Sequence, residues 1–220
     1  MATIQKTVEE IISRTPFLEE NIEDGIINLS ALARTLQPEI NGIIGRNVQT
    51  GAITMALKRL TPRFNPRINL KIRKLFNNTG DIIVRSNLIY STYHNSETLI
   101  QKQIQLLEMV NKTRNVFYIF SHGIYETTIV LSASAAKETD KIFAGEQLVT
   151  KLKNLSVVTI KLLQDGTDIT GVYYFIIKRI SWAGINVVEV ISTTNEFTFL
   201  VSEKDVEKTF SILKNLGNFN

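Results

Sequence analysis

The sequence predicts an α+β protein in which a small three-helix domain precedes two βαββαβ modules. Three observations carry this. Apolar residues recur at helical spacing through residues 1–62. From Asp81 onward, strand-like and helix-like runs follow one another as β, α, β, β, α. That order then recurs from Ser156, so residues 81–155 and 156–217 read as an internal repeat.

Val8, Ile11 and Ile12 open an apolar face that Pro16 interrupts and that Phe17, Leu18 and Ile22 resume until Gly25. Asn28 or Ser30 caps a second helix, whose Leu29, Leu32, Ala33 and Leu36 follow i, i+3, i+4, i+7 spacing up to Pro38. Thr50 caps a third, with Ile53, Ala56, Leu57 and Leu60 on one face and Pro62 at its close. Residues 63–80, with Pro66 close behind Pro62 and a turn-like Asn77–Gly80, read as an inter-domain connection or as a wing hairpin. The expected division is 1–75 for a basic helix-turn-helix or winged-helix-like domain, 76–155 for the first module and 156–220 for the second. Residues 136–155 read as a helix closing the first module. Right-handed crossovers give each module a small antiparallel sheet with its helices on one face, as in ferredoxin-like folds.

At 220 residues and 44% hydrophobic, the chain is long enough to bury a real core. The absence of cysteine removes disulfides, thiolate nucleophiles and Cys-ligated metals, and is compatible with a reducing cytosol. No run approaches the roughly 20 apolar residues of a membrane helix, and the acidic start MATIQKTVEEII lacks a secretory pattern. A cytoplasmic protein without membrane contact is expected. Charge is uneven along the chain: residues 1–39 hold three bases against seven acids, whereas residues 40–80 hold eight bases and no acid.

Residues 157–216 resemble the last ACT module of aspartokinases. Three pieces carry the resemblance: Thr170-Gly171-Val172 at a helix start, the turn Ala183-Gly184-Ile185-Asn186-Val187, and Ile191-Ser192-Thr193-Thr194 leading into Phe197-Thr198-Phe199-Leu200-Val201. The closing Glu203–Lys208 fits as well. The preceding repeat is a diverged first module: SHGIYETTIVLSA suits the hairpin, but YSTYHNSETL lacks the glycine at the helix start. About 80 residues precede both repeats, too few for an amino-acid kinase domain. The resemblance therefore implies an amino-acid-sensing regulator without the enzyme.

It also implies where an effector sits: between the loop before Gly171 and the first residues of the next strand, often where modules meet. The expected ligand-binding residues are Asp165, Asp168, Ile169, Thr170, Gly171, Val172, Asn186, Val187, Val188 and Thr194. A helix start offers free N–H groups and partial positive charge to a carboxylate, while Asp165 or Asp168 would meet an ammonium. The same two aspartates also suit an ordinary turn and N-cap with no ligand. Val188 stands where some lysine- or threonine-sensing modules place an acid, which leaves the effector's identity open.

The basic segment also has two readings. Lys58 and Arg59 suit a helix C-terminus whatever the function, whereas Arg46, Thr50, Lys58, Arg59, Arg63 and Arg67 together form a candidate DNA contact. The third helix offers few base-reading side chains beyond Gln49, Thr50 and Thr54. His94 and His122 have no carboxylate nearby in sequence at metal-ligand spacing, and no phosphate loop or nucleophile elbow is present. Trp182 reads as helix packing. Tyr90, Tyr93, Phe117, Tyr118 and Phe120 read as sheet packing. No catalytic centre, cofactor or metal site is expected. The expected partners are an amino-acid effector, DNA, and a second copy paired through the module sheets. The alternative is a regulatory or adaptor subunit of an amino-acid biosynthetic enzyme.

Overall fold

The Thr3 hydroxyl accepts the Lys6 amide at 3.2 Å and so starts α1 (Ile4–Ser13), whose Val8, Ile11 and Ile12 are buried. The computed structural model describes residues 3–15, 18, 21–22, 25–60, 66–77, 79–162 and 169–218. These fall in two units, residues 1–69 and 70–220.

In the first unit α1 packs with α2 (Leu29–Ile44) and α3 (Thr50–Lys58). Of the two N-cap candidates for α2 it is Asn28 that caps, accepting the Ser30 and Ala31 amides at 3.1 Å. Pro38 does not end this helix. A proline inside a helix costs about 3 kcal/mol, but Leu36 and Ile40 on either side of it are buried in the unit's core, and the helix runs on to Gly45 at φ 74°. The α2–α3 turn is tied to α2, because Gln37 donates to the Val48 carbonyl at 2.8 Å and Asn41 accepts the Val48 amide at 2.7 Å. The cap of α3 falls on Gln49, with Thr50 as first helical residue.

Helix α4 (Pro66–Asn77) occupies the segment expected as connection or wing, and from Leu70 on it belongs to the second unit. Its alternating bases hid an apolar stripe: Ile72, Leu75 and Phe76 are buried, with Phe76 stacked on Phe175 at 5.6 Å.

The second unit continues with β1 (Thr79–His94), α5 (Leu99–Lys112), β2 (Tyr118–His122), β3 (Glu126–Ser132), α6 (Ala136–Ile142) and β4 (Leu148–Leu162). It ends with α7 (Val172–Trp182), β5 (Val187–Ser192), β6 (Glu196–Ser202) and α8 (Val206–Lys214). Residues 136–155 are thus not one helix. Gly145, at φ 88°, turns the chain, and the β-branched Val149 and Thr150 lie in a strand.

The repeat does not fold as two separate sheets. All six strands form one antiparallel sheet in the order β2-β3-β1-β4-β6-β5. The expected boundary at 155/156 lies inside β4, where Leu155 and Ser156 pair with Ser202 and Val201. Each module takes its fourth strand from the other: the late half of β1 and the early half of β4 complete the first, and their remaining halves complete the second. Around each half the ferredoxin-like order is satisfied.

Two asparagines make this sharing possible. Arg85 pairs with Val157, Leu88 with Leu155 and Tyr90 with Leu152. Two residues of β1 therefore face one of β4, and just beyond two of β4 face one of β1. Asn87 at φ 60° and Asn154 at φ 56° occupy these bulges, and asparagine tolerates that left-handed conformation better than most residues. Each extra residue reverses the in–out alternation, so the open face of both modules stays on one side. Leu88, Val130, Leu155, Val157 and Leu200 form a core on that face. The sheet curls around it. β1 and β5 are separated by two strands, yet the Tyr90 hydroxyl donates to the Glu189 carboxylate at 3.4 Å. On the other side of the sheet, Leu99, Leu106, Ile129 and Leu131 pack the first module beneath its helices. No helix among the described residues is long and apolar enough to cross a membrane.

Candidate functional site

Helix α7 starts at the glycine that the sequence marks. Gly171, at φ 88°, is the N-cap residue and makes no side-chain capping bond. Its carbonyl accepts the Phe175 amide at 2.9 Å, the first bond of the intrahelical ladder. Thr170 is exposed, Ile169 and Gly171 are half-buried, and Val172 anchors the turn in the core. Asp165 and Asp168 lie outside the described residues.

The neighbours of this helix start differ from the expected ones. The Tyr173 hydroxyl bonds to that of Ser192, and its ring meets Phe197 edge-on at 4.9 Å. Val172 thus stands beside the end of β5 and the β5–β6 turn, where Thr194 is exposed. Asn186, Val187 and Val188 lie at the opposite end: Val187 pairs with Val201, while Ser192 pairs with Phe197. Five residue steps along the strand separate Val187 from Ser192, about 17 Å. One chain therefore does not bring the two halves of the expected pocket together. The reason is topological, since in a βαβ unit the helix starts where the first strand ends and the next strand starts where the helix ends.

At the matching place in the first module, residues that sequence reasoning missed fill the helix start. The Glu146 carboxylate accepts the Ser96 and Thr98 hydroxyls, each at 2.6 Å, and pairs with Lys102 at 3.1 Å. Lys102 also donates to the Ala144 carbonyl, and Ser96 caps Leu99 at 3.1 Å. Burial raises the Glu146 carboxyl, but the two hydroxyls and the ammonium outweigh it and hold its pKa below the ordinary value. The only sequence signal was Ser-Glu-Thr ahead of an apolar run, because Glu146 arrives from 48 residues beyond Thr98.

His94 does have a carboxylate close by: Glu126 faces it across the ladder at 3.9 Å, with both side chains 47% exposed. His122 Nδ1 shares a hydrogen bond of 2.7 Å with Thr127. Among the described residues no group of three His, Asp or Glu is placed to hold a metal ion. Trp182 does not pack; it is 78% exposed.

In the first unit Arg46, Lys58 and Arg59 are exposed, whereas Thr50 is half-buried and its carbonyl accepts the Thr54 hydroxyl at 2.9 Å. Arg63 lies outside the described residues, as does the side chain of Arg67. Between these bases α3 shows solvent a small, flat face of Gly51, Ala52 and Met55.

No protein-family model and no curated protein matches the sequence. Solved structures do. The chain is similar to aspartokinase alpha and beta subunits at 14% identity and a TM-score of 0.53, over 64% of this chain and 99% of that one. It is similar to the aspartate kinase of Clostridium acetobutylicum at 15% identity and 0.53, over 64% of this chain but 35% of that one. The ligand-free regulatory subunit of aspartate kinase from Thermus thermophilus matches at 9% and 0.51, over 63% and 98%. At such identities the likeness is one of fold: the sheet-bearing part has the architecture of aspartokinase regulatory domains.

Proposed function

We propose that this protein is a non-catalytic regulator that senses a free amino acid through its paired ACT-like modules. The observation that carries this reading is the shared-strand sheet, whose architecture is that of a regulatory subunit of aspartate kinase. The split pocket supports it further. β5 is an edge strand, and antiparallel pairing of β5 with that of a second copy sets Asn186–Val188 of one copy beside Thr170–Val172 of its partner. Carboxylate at the α7 amides, ammonium at Asp165 or Asp168 and side chain over Val187 and Val188 then complete one site per helix start. Sensing and dimerisation become one equilibrium.

The test is a thermal-shift screen of the twenty amino acids alongside sedimentation velocity. A ligand at about 100 times its Kd adds about 2.7 kcal/mol, and it should move the protein toward dimer in the same titration. If none of the twenty shifts the melting temperature or the dimer fraction, the reading is wrong.

The output of such a regulator is the helical unit. Arg46, Thr50, Lys58 and Arg59, with Arg63 and Arg67, would contact DNA phosphates. The small, uncharged exposed face of α3 favours a second reading, an adaptor that docks on a biosynthetic enzyme. Fluorescence anisotropy with mixed duplexes separates the two. DNA binding must weaken steeply between low and physiological salt, whereas a flat response at low salt leaves the adaptor.

A further inference from the structure

The curl of the sheet leaves a cleft of about 620 Å³ between the open face of the second module and the start of β2, which the sensing site does not use. Its floor is β1, β4, β6 and the end of β5, and its wall is the segment from Val116 to Ile119. The lining is mainly apolar, through side chains such as Ile83, Phe117, Val157 and Ile191. Ile83, an apolar strand residue, is 54% exposed there. The volume lies in the range of small-molecule sites, which combine apolar walls with a few polar groups.

Among the described residues two charged side chains line the cleft, and they are of opposite sign: Arg85 and Glu196. Arg85 lies over the Phe117 ring at 5.7 Å, so its guanidinium is held against the wall. No ion pair to either is present among the described residues. Lys161 stands opposite Glu196 in the ladder but does not line the cleft. The two charges sit at its two ends. Arg85 pairs with Val157 and Glu196 with Lys161, a step of about 13 Å along the strands and about 10 Å across them. Between them the Thr159 and Thr198 hydroxyls bond to each other at 2.8 Å.

We infer that this cleft binds an elongated zwitterion, with a carboxylate at Arg85, an ammonium at Glu196 and an apolar body between them. The α-groups of a single amino acid are too close together to reach both ends. Two molecules have the required form: an ω-amino acid with a long methylene chain, and a short apolar peptide, of which three extended residues span about 10 Å.

Calorimetric titration of the full chain tests this with two series, ω-amino acids from aminobutanoate to aminooctanoate and alanine oligomers of two to four residues. Affinity should peak at an intermediate length in at least one series, and which series peaks identifies the source. Removing either charge should cost about tenfold or more, since each would lose a charge-assisted hydrogen bond. Arg85→Met should therefore weaken carboxylate-bearing ligands but leave the matching alkylamines alone, and Glu196→Gln should do the reverse. Circular dichroism confirms folding of both exposed-site variants. Affinity independent of length, or unchanged by both substitutions, overturns the inference, and so does the absence of binding in both series. None of these outcomes bears on the α-amino-acid screen, which reads the start of α7.

Discussion

The two modules share a sheet and a strand order, yet they treat the same structural position in opposite ways. In the first, the helix start is closed by the chain's own carboxylate: Glu146 sits among Ser96, Thr98 and Lys102 with its side chain 3% exposed. In the second, the helix begins at a glycine with no side-chain cap. An anion is favoured at either place by the helix dipole. The first module supplies that anion internally, whereas among the described residues no side chain caps the start of α7. A repeat can thus keep its fold while its two helix starts are built from different side chains.

The largest expected effects test whether the modules are separable at all. Leu106→Ala in the first module and Ile176→Ala in the second each remove a fully buried side chain and should cost about 2 to 5 kcal/mol. Because β1 and β4 belong to both modules, either substitution should speed amide exchange in both. Accelerated exchange confined to the substituted module would show that sharing the strands does not couple them.

Next comes the internal anion. Glu146→Gln keeps the shape but gives up charged hydrogen bonds worth roughly 2 to 3 kcal/mol together. The sign of its pH dependence follows from its lowered pKa. The stabilisation is fully present above the ordinary glutamate value and is lost as pH falls through the lower, folded one. Denaturant titrations of the two proteins should therefore differ most near neutral pH and converge in acid. A gap that widens in acid would mean that Glu146 is not held as a carboxylate.

The repeat, the α+β class and the apolar faces of α1 and α3 were legible in the sequence because each is a local pattern. The sharing of strands was not, because a strand that serves two modules looks like any strand. The Asn-Leu pairs at 87–88 and 154–155 gave no signal of the bulges, since the same pair also stands at 28–29, 69–70 and 215–216. The separation of the two pocket motifs was hidden for a related reason. Motifs at Thr170–Val172 and Asn186–Val188 are neighbours in sequence, but a helix and half a strand set them at opposite ends of β5. The closure by Glu146 was invisible because its partners come from a loop far back in the chain.

The bulges give a medium-sized test of the same symmetry. Valine at either asparagine must adopt a positive φ that a β-branched residue avoids, so Asn87→Val and Asn154→Val should each cost about 1 to 2 kcal/mol. Glycine at the same positions should cost only a few tenths. Equal penalties for valine and glycine would place the cost in the side-chain contacts of asparagine and not in the backbone. Gly171→Ala, at φ 88°, should fall at the lower end of the valine range.

The smallest effect on stability is the most informative about function. Glu126 and Glu196 occupy equivalent places, each at the start of the second hairpin strand and each opposite a basic or titratable residue, His94 and Lys161. Both hairpins close with the same bond, from Gly123 to the Glu126 carbonyl at 2.8 Å and from Thr193 to the Glu196 carbonyl at 3.0 Å. As exposed charges, neither should contribute more than about 0.5 kcal/mol, so thermal melts of Glu126→Gln and Glu196→Gln should coincide with that of the parent. Only the second faces the cleft that Arg85 closes at its other end. Calorimetry with elongated zwitterions should therefore separate two variants that melting cannot. If Glu126→Gln lost as much affinity as Glu196→Gln, the effect would come from net charge and not from a site.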